Sequence, residues 1–268
     1  SIYTYQEKVI VFMYSKQLEF LEAIYFAVKE SANEIQYDES NRHHLILISL
    51  YATIIEYSFS CITLLKTNQY TAIPTILRST LEASTDLLIL IKEKEYADSM
   101  YLSFLHQKIQ IIKKIIDKAS HAQFVIDNLD KFRAELASTK IEFGKKKSVG
   151  VKLYQPFQKF DLADIDQIYI LYQNLCRESH NNLDCLIHRH ITDNCFHFNI
   201  TLFASWDEAD IIFLISCTIR FLVNSFRKIQ EYFLLNESYM TLKVIELFFS
   251  YEEYEKKLYE IINQDLAT

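Results

Sequence analysis

With 268 residues, half of them hydrophobic, the chain can bury a large core, yet it holds only 2 Gly and 2 Pro. That poverty of turn formers excludes sheets built on tight hairpins, P-loops and dinucleotide fingerprints, because neither Gly144 nor Gly150 lies in a Gly-rich run. A formal net charge of −7 and a pI near 5.6 exclude a basic field over the whole molecule, so nucleic acid would have to be met by a local patch.

The expected fold class is all-α, a single domain over residues 1–268 built as a bundle of about seven to nine helices. A short extended segment is expected near 195–203, and a polar insertion or loop around 120–160.

Residues 2–33 carry Val9, Phe12, Met13, Leu18, Leu21, Ile24, Tyr25 and Val28 near the helical period and predict one long helix. After the polar break at Asp38 to Asn41, a helix over 42–67 is apolar on most faces, which places it at the centre of the bundle. Pro74 suits the first turn of a third helix over 73–94. A fourth runs over 97–119, and the more polar stretch 121–143 forms another helix or two. Residues 144–156, with both glycines, one proline and a lysine cluster, form the principal loop. Asp161 or Asp164 caps a helix continuing to about residue 187. His, Asn and aromatic residues alternate over 188–205, which suggests an extended arm. Helices to about residue 233 and over 236–263 complete the chain.

Residues 45–65 and 209–223 are apolar, but Glu56 and Arg220 interrupt them, so core helices and no membrane span are expected. The five cysteines, Cys61, Cys176, Cys185, Cys195 and Cys217, are odd in number and widely spaced. That usage fits a reducing cytoplasm better than a secreted scaffold, and no secretory pattern opens the sequence. His43 and His44 begin a helix and are expected at the surface.

Three constellations carry chemistry. The stretch from Tyr172 to Asn182 places Arg177 and His180 one helical turn apart, with Asn181 and Asn182 beside them and Asp184 four residues beyond the histidine. A permanent cation next to an imidazole suits phosphate chemistry. Arg78 and Glu82 are four apart on an apolar helix, where a charged pair must be mutually satisfied, either as a register-fixing ion pair or as the lining of a polar pocket. Cys185, His188, His190, Cys195 and His197 are all zinc-compatible types, but their spacing matches no finger or ribbon; no metal and no cofactor is expected, and a zinc-stabilised structural protein remains a third reading. Lys145, Lys146, Lys147 and Lys152 form a local basic patch, for which a solvated loop is the favoured explanation.

The R-x3-E helix (Arg78, Glu82) followed by Y-x2-L-x4-H (Tyr172, Leu175, His180) resembles a large group of bacterial all-helical proteins described only as a domain of unknown function. Over about 46–186 the chain is also distantly similar to the HEPN superfamily, which includes toxin, abortive-infection and CRISPR-associated ribonucleases. The resemblance implies a helical bundle, a homodimer with its Arg-His motifs facing across the two-fold, and RNA as substrate. It also implies a partner protein from the same defence or toxin system.

On this reading His180 and Arg177, with Arg78, act on the RNA phosphodiester without a metal, and Glu82 holds an arginine. Tyr172, Asn181, Asn182 and Lys145 to Lys147 contact substrate. The pattern departs from the superfamily in two respects. Two residues separate Arg177 from His180, where catalytic members have four to six, and Glu178 stands where Asn, Asp or His is usual. A non-enzymatic helical module that binds a partner protein or small ligand is the competing expectation.

Overall fold

Apolar residues at helical spacing, with almost no Gly or Pro to interrupt them, fold into long helices. A computed structural model describes residues 2–118, 123–180, 182–193, 198–200, 206–235 and 237–265. These contain eleven α-helices: α1 (Ile2–Ser31), α2 (Arg42–Lys66), α3 (Ile73–Lys92), α4 (Tyr96–Asp117), α5 (Gln123–Asp127), α6 (Leu129–Ser148), α7 (Pro156–Leu162), α8 (Tyr169–Ser179), α9 (Leu183–His190), α10 (Glu208–Tyr232) and α11 (Tyr239–Asp265). Two three-residue strands, β1 (Ile191–Asp193) and β2 (Phe198–Ile200), pair antiparallel with Ile191 opposite Ile200. The all-α class stands, with more helices than the pattern suggests because several expected elements are broken into pieces.

The centre of the bundle is α3 with α10, not α2. Helix α10 packs on α1, α2 and α3, and α3 packs on α2, α8 and α10. Both α2 and α10 are long and apolar enough to cross a membrane, but 72% of the most apolar stretch of α10 is buried against 33% for α2. The outer face of α2 exposes Leu45 and Phe59 beside Glu56. Its hydroxyls bond back into the helix, Ser49 to Leu45 O at 2.7 Å and Ser60 to Glu56 O at 3.0 Å, so these polar side chains need no partner element. His43 is half-buried: its Nε2 meets Leu90 O at 2.8 Å and its Nδ1 meets Tyr232 Oη at 3.2 Å, linking α2 to α3 and α10.

Helices α4 and α6 pack on each other as an arm beside the bundle. The pairs Asp98–Lys146, Tyr101–Glu142 and Lys108–Glu135 step in opposite directions along the two helices, which therefore run antiparallel. The expected loop at 144–156 is mostly absent. Helix continues through Gly144 to Ser148, and only 149–155 is irregular. Gly144 is thus an interior helical glycine, while Gly150 (φ +87°) ends α6 in the left-handed region, with its N–H on Lys147 O at 3.1 Å.

Asp161 and Asp164 cap no helix. Pro156 opens α7 after Gln155, whose N–H is accepted by Gln158 Oε1 at 2.9 Å, and Asp164 sits in the following turn at φ 57°. The helix expected to reach residue 187 stops at Ser179, because His180 is extended (ψ 161°) and Asn182 caps a new helix by accepting from Asp184 N at 3.0 Å.

Candidate functional site

Helix α3 carries Arg78, Glu82 and Asp86 at intervals of four, so the three side chains form one row. Each turns to a different partner. Arg78 Nη1 lies 3.5 Å from His180 Nε2, at the outer limit of a hydrogen bond. Tyr172 Oη donates to Glu82 Oε1 at 2.9 Å. Asp86 Oδ1 accepts from Tyr96 Oη at 2.6 Å and from Lys159 Nζ at 2.9 Å. Arg78 and Glu82 therefore form no ion pair with each other, and Glu82 holds a tyrosine, not an arginine. Sharing a face puts two side chains in reach; α8 and the residue that follows it offer both of them better partners.

The row knits α3 to α8 at two levels. Tyr172 and Leu175 are the buried positions of α8, and Tyr172 leans on Phe160 of α7 with ring centroids 5.2 Å apart. Burial, then the hydrogen bond and charge of Glu82, raise the Tyr172 phenol above its ordinary range, so it stays a neutral donor. Tyr96 is raised in the same way, by burial and by Asp86. Eight residues after Tyr172 the helix breaks. His180 keeps its N–H on Cys176 O at 3.1 Å, while its backbone turns extended and its ring meets Arg78. A guanidinium has donors only, so a hydrogen bond across this contact has His180 Nε2 as its acceptor. Arg78 Nε is buried and has no hydrogen-bond partner among the described residues.

The structure thus joins Arg78 to His180 and Glu82 to Tyr172, two contacts between segments 102 and 90 residues apart. It does not put Arg177 and His180 on one helical face, since the histidine has left the helix. Arg177 is exposed in the last turn of α8, where a cation complements the helix dipole. Asp184 lies past the break, so the four-residue offset that would orient the imidazole is lost. Asn182 serves as a helix cap. Asn181 lies outside the described residues.

Lys145 and Lys147 are exposed on the last turn of α6, and Lys146 is half-buried against Asp98 at 2.7 Å. They belong to a larger feature. Residues 108–152 hold eleven Lys and Arg against five Asp and Glu, so this arm is basic while the rest of the chain is strongly acidic. The net charge of −7 conceals that segregation.

Of the zinc-compatible set, Cys195, His197 and the His188 side chain lie outside the described residues. The Cys185 thiol is buried and donates to Glu178 Oε1 at 3.2 Å, and burial and that carboxylate push its pKa up. Among the described residues, no three His, Cys, Asp or Glu side chains gather into a metal-binding group.

Two cavities adjoin these elements. An open cleft of ≈ 470 Å³ follows the row past Glu82 and Asp86, with Lys159, Tyr172, Phe104 and Gln107 on its walls. A smaller one of ≈ 200 Å³ lies between α8, α9 and α10, lined by Asn174, Glu178, Arg189, Trp206 and Phe213. There Arg189 donates to the Glu178 carboxylate at 2.8 Å and to the Glu178 backbone carbonyl, which fixes α9 on α8. Asp86, Lys159 and Tyr96 escaped the sequence reading. The four-residue interval from Glu82 pointed to Asp86, but nothing local marked Lys159, 73 residues away, as its partner.

Fold and site together define an all-helical protein with a polar seam across its bundle and a basic helical arm at its side. A model described as a family of unknown function (DUF5677) matches residues 44–197, more than half of the chain, and the chain belongs to that family. Every residue of the seam falls within the matched segment. No curated protein and no solved structure matches the chain.

Proposed function

We propose that this protein is a HEPN-like, metal-independent ribonuclease that acts on RNA phosphodiesters in the cytoplasm as an effector of bacterial stress or phage defence. The contact of Arg78 with His180 carries the reading: a guanidinium lies 3.5 Å from an imidazole nitrogen, at the outer limit of a hydrogen bond, and a phosphate entering beside them draws the guanidinium to itself and frees the Nε2 lone pair. With Arg78 turned to the phosphate, His180 Nε2 takes the proton of the 2′-hydroxyl, O2′ bonds to phosphorus, and the bond from phosphorus to O5′ breaks. Arg78, with Arg177 nearby in sequence, stabilises the charge that develops on the phosphate oxygens. The leaving O5′ needs a proton. In a homodimer with facing motifs, as the resemblance implies, the imidazole of the second copy supplies it.

The exposed setting of His180 suits a macromolecular substrate, and the basic α4–α6 arm offers Lys145 and Lys147 to a phosphate backbone. Tyr172 and Glu82 act through position, by holding α8 on α3. The test is incubation of the pure protein with tRNA and mRNA under chelator. Loss of the general base is expected to slow cleavage by about 10²–10⁴-fold in His180→Ala. Equal products from both proteins would remove His180 from catalysis.

One observation favours a second reading. The acidic row and the aromatic walls of the ≈ 470 Å³ cleft also suit a non-enzymatic module that binds a small ligand or a partner protein. Binding to this cleft without RNA turnover would favour it.

A further inference from the structure

We propose that the cleft next to the Arg78–His180 pair is a base pocket that selects guanine, so that the ribonuclease site is bipartite. The inference rests on the reading of the seam as an RNA site and adds its specificity.

The polar atoms of the cleft form a defined set. Tyr96 and Lys159 both bind Asp86 Oδ1, and Tyr172 binds Glu82 Oε1. Asp86 Oδ2 and Glu82 Oε2 are left as acceptors with no protein donor among the described residues. Lys159 gives one hydrogen bond to Asp86 and has two further N–H donors. The cleft therefore offers two acceptor oxygens one turn apart on α3 and, from α7, the Lys159 ammonium beside Asp86. Its walls include Phe104, whose ring stacks on Tyr101 at 6.0 Å and is 53% exposed, and the exposed amide of Gln107. An exposed phenyl face stacks on any base.

Hydrogen-bond polarity then discriminates among the bases. Guanine presents O6, N1–H and N2–H₂ in sequence, an acceptor followed by donors, which complements an ammonium followed by carboxylate oxygens. Adenine places its N1 lone pair against a carboxylate. Uracil flanks its single N3–H with two carbonyl oxygens, which carboxylates repel, and cytosine offers one donor beside the N3 acceptor. Carboxylates accept only, so each of these bases leaves a repulsive contact. Arg78 and Asp86 stand about 12 Å apart along α3, and the length of the arginine side chain brings a phosphate at its guanidinium and a base at Asp86 within one nucleotide's reach.

The experiment is calorimetric titration of the whole protein, under chelator, with guanosine, adenosine, cytidine and uridine 5′-monophosphates, and with guanosine alone. Guanosine monophosphate is expected to bind at least tenfold more tightly than the other three. Phe104→Ala, at a surface position that leaves the core intact, is expected to weaken it about tenfold or more. Arg78→Ala is expected to weaken the monophosphate while leaving guanosine affinity unchanged. Equal affinity for all four nucleotides, or full guanosine monophosphate affinity in Phe104→Ala, would overturn the pocket. Mapping of cleavage positions separates the two ideas. Selective guanosine monophosphate binding with no RNA cleavage keeps the pocket and removes the ribonuclease. Cleavage with no guanine preference keeps the ribonuclease and removes the pocket.

Discussion

The hydrogen bond from Tyr172 to Glu82 is the joint that holds α8 on α3, and Tyr172→Phe removes it without changing the ring. Hydrogen bonds to charged groups contribute about 1.5–3 kcal/mol, more when the partner left behind is fully buried. Here the phenol is 9% exposed but Glu82 is only half-buried, so water partly replaces the lost donor. The low end applies, about 1.5 kcal/mol. For a chain of this size that is a fall in Tm of roughly 3–5 °C. Glu82→Gln alone is expected to cost a similar amount, and the double variant less than the sum, leaving a coupling energy of about 1 kcal/mol. Urea unfolding followed by circular dichroism measures all four corners of the cycle. A coupling within ~0.3 kcal/mol of zero would mean that the two side chains do not act together, and the seam as described would be wrong.

The chain's two glycines are expected to respond with opposite signs. Gly144→Ala should stabilise by about 0.5–1 kcal/mol, because a Cβ there meets nothing within 4 Å in a helix interior. Gly150→Ala should destabilise by about 1 kcal/mol, because φ is +87°. At the C-terminal end, burial opposes ionisation of Glu255, but hydrogen bonds from Tyr251 and Ser216 and the Arg220 guanidinium outweigh it and hold the carboxyl below its ordinary value. A lowered folded pKa gives stability that is complete above the unfolded value of about 4.3 and is lost as pH falls below it. Because Arg220 is 43% exposed and keeps Glu252, Glu255→Gln should cost less than the roughly 3–5 kcal/mol of a fully buried broken pair, about 1–3 kcal/mol at pH 7, and flatten the acid limb of a stability–pH curve. Burial raises the phenols of Tyr51, Tyr96, Tyr172 and Tyr251, so stability should fall as pH rises above about 10, where unfolded tyrosine ionises; absorbance at alkaline pH would follow it. Lys145→Glu with Lys147→Glu should weaken RNA binding and lower the salt dependence of its affinity, measured by filter binding at several salt concentrations.

The bundle was legible because helices need only a local pattern. Scarce Gly and Pro and the apolar spacing of Leu21, Ile24 and Val28 dictate them without knowledge of the fold. Breaks were harder to read. Gly144 reads as a loop residue, yet α4 supplies a partner surface that keeps α6 helical around it. The turn at His180 depends on Asn182 acting as a cap, and Asn in a polar run reads equally well as an exposed helical residue. Central position also eluded the pattern: α2 is the more uniformly apolar helix, but its hydroxyls satisfy themselves, and α10 takes the middle. At the site, Arg78, Glu82, Tyr172 and His180 were identifiable by type and mismatched by pair. An ion pair at four residues is the local guess, and only the approach of α8 over a separation of 102 residues gives Arg78 its imidazole.

The most direct test of the central claim is the chemistry of the RNA ends, read by mass spectrometry after digestion under chelator. Attack of O2′ driven by His180 with Arg78 leaves 2′,3′-cyclic phosphate and 5′-hydroxyl termini, and these should disappear in both His180→Ala and Arg78→Ala. Ends bearing 3′-hydroxyl and 5′-phosphate, or cyclic phosphate formed undiminished by either variant, would contradict it.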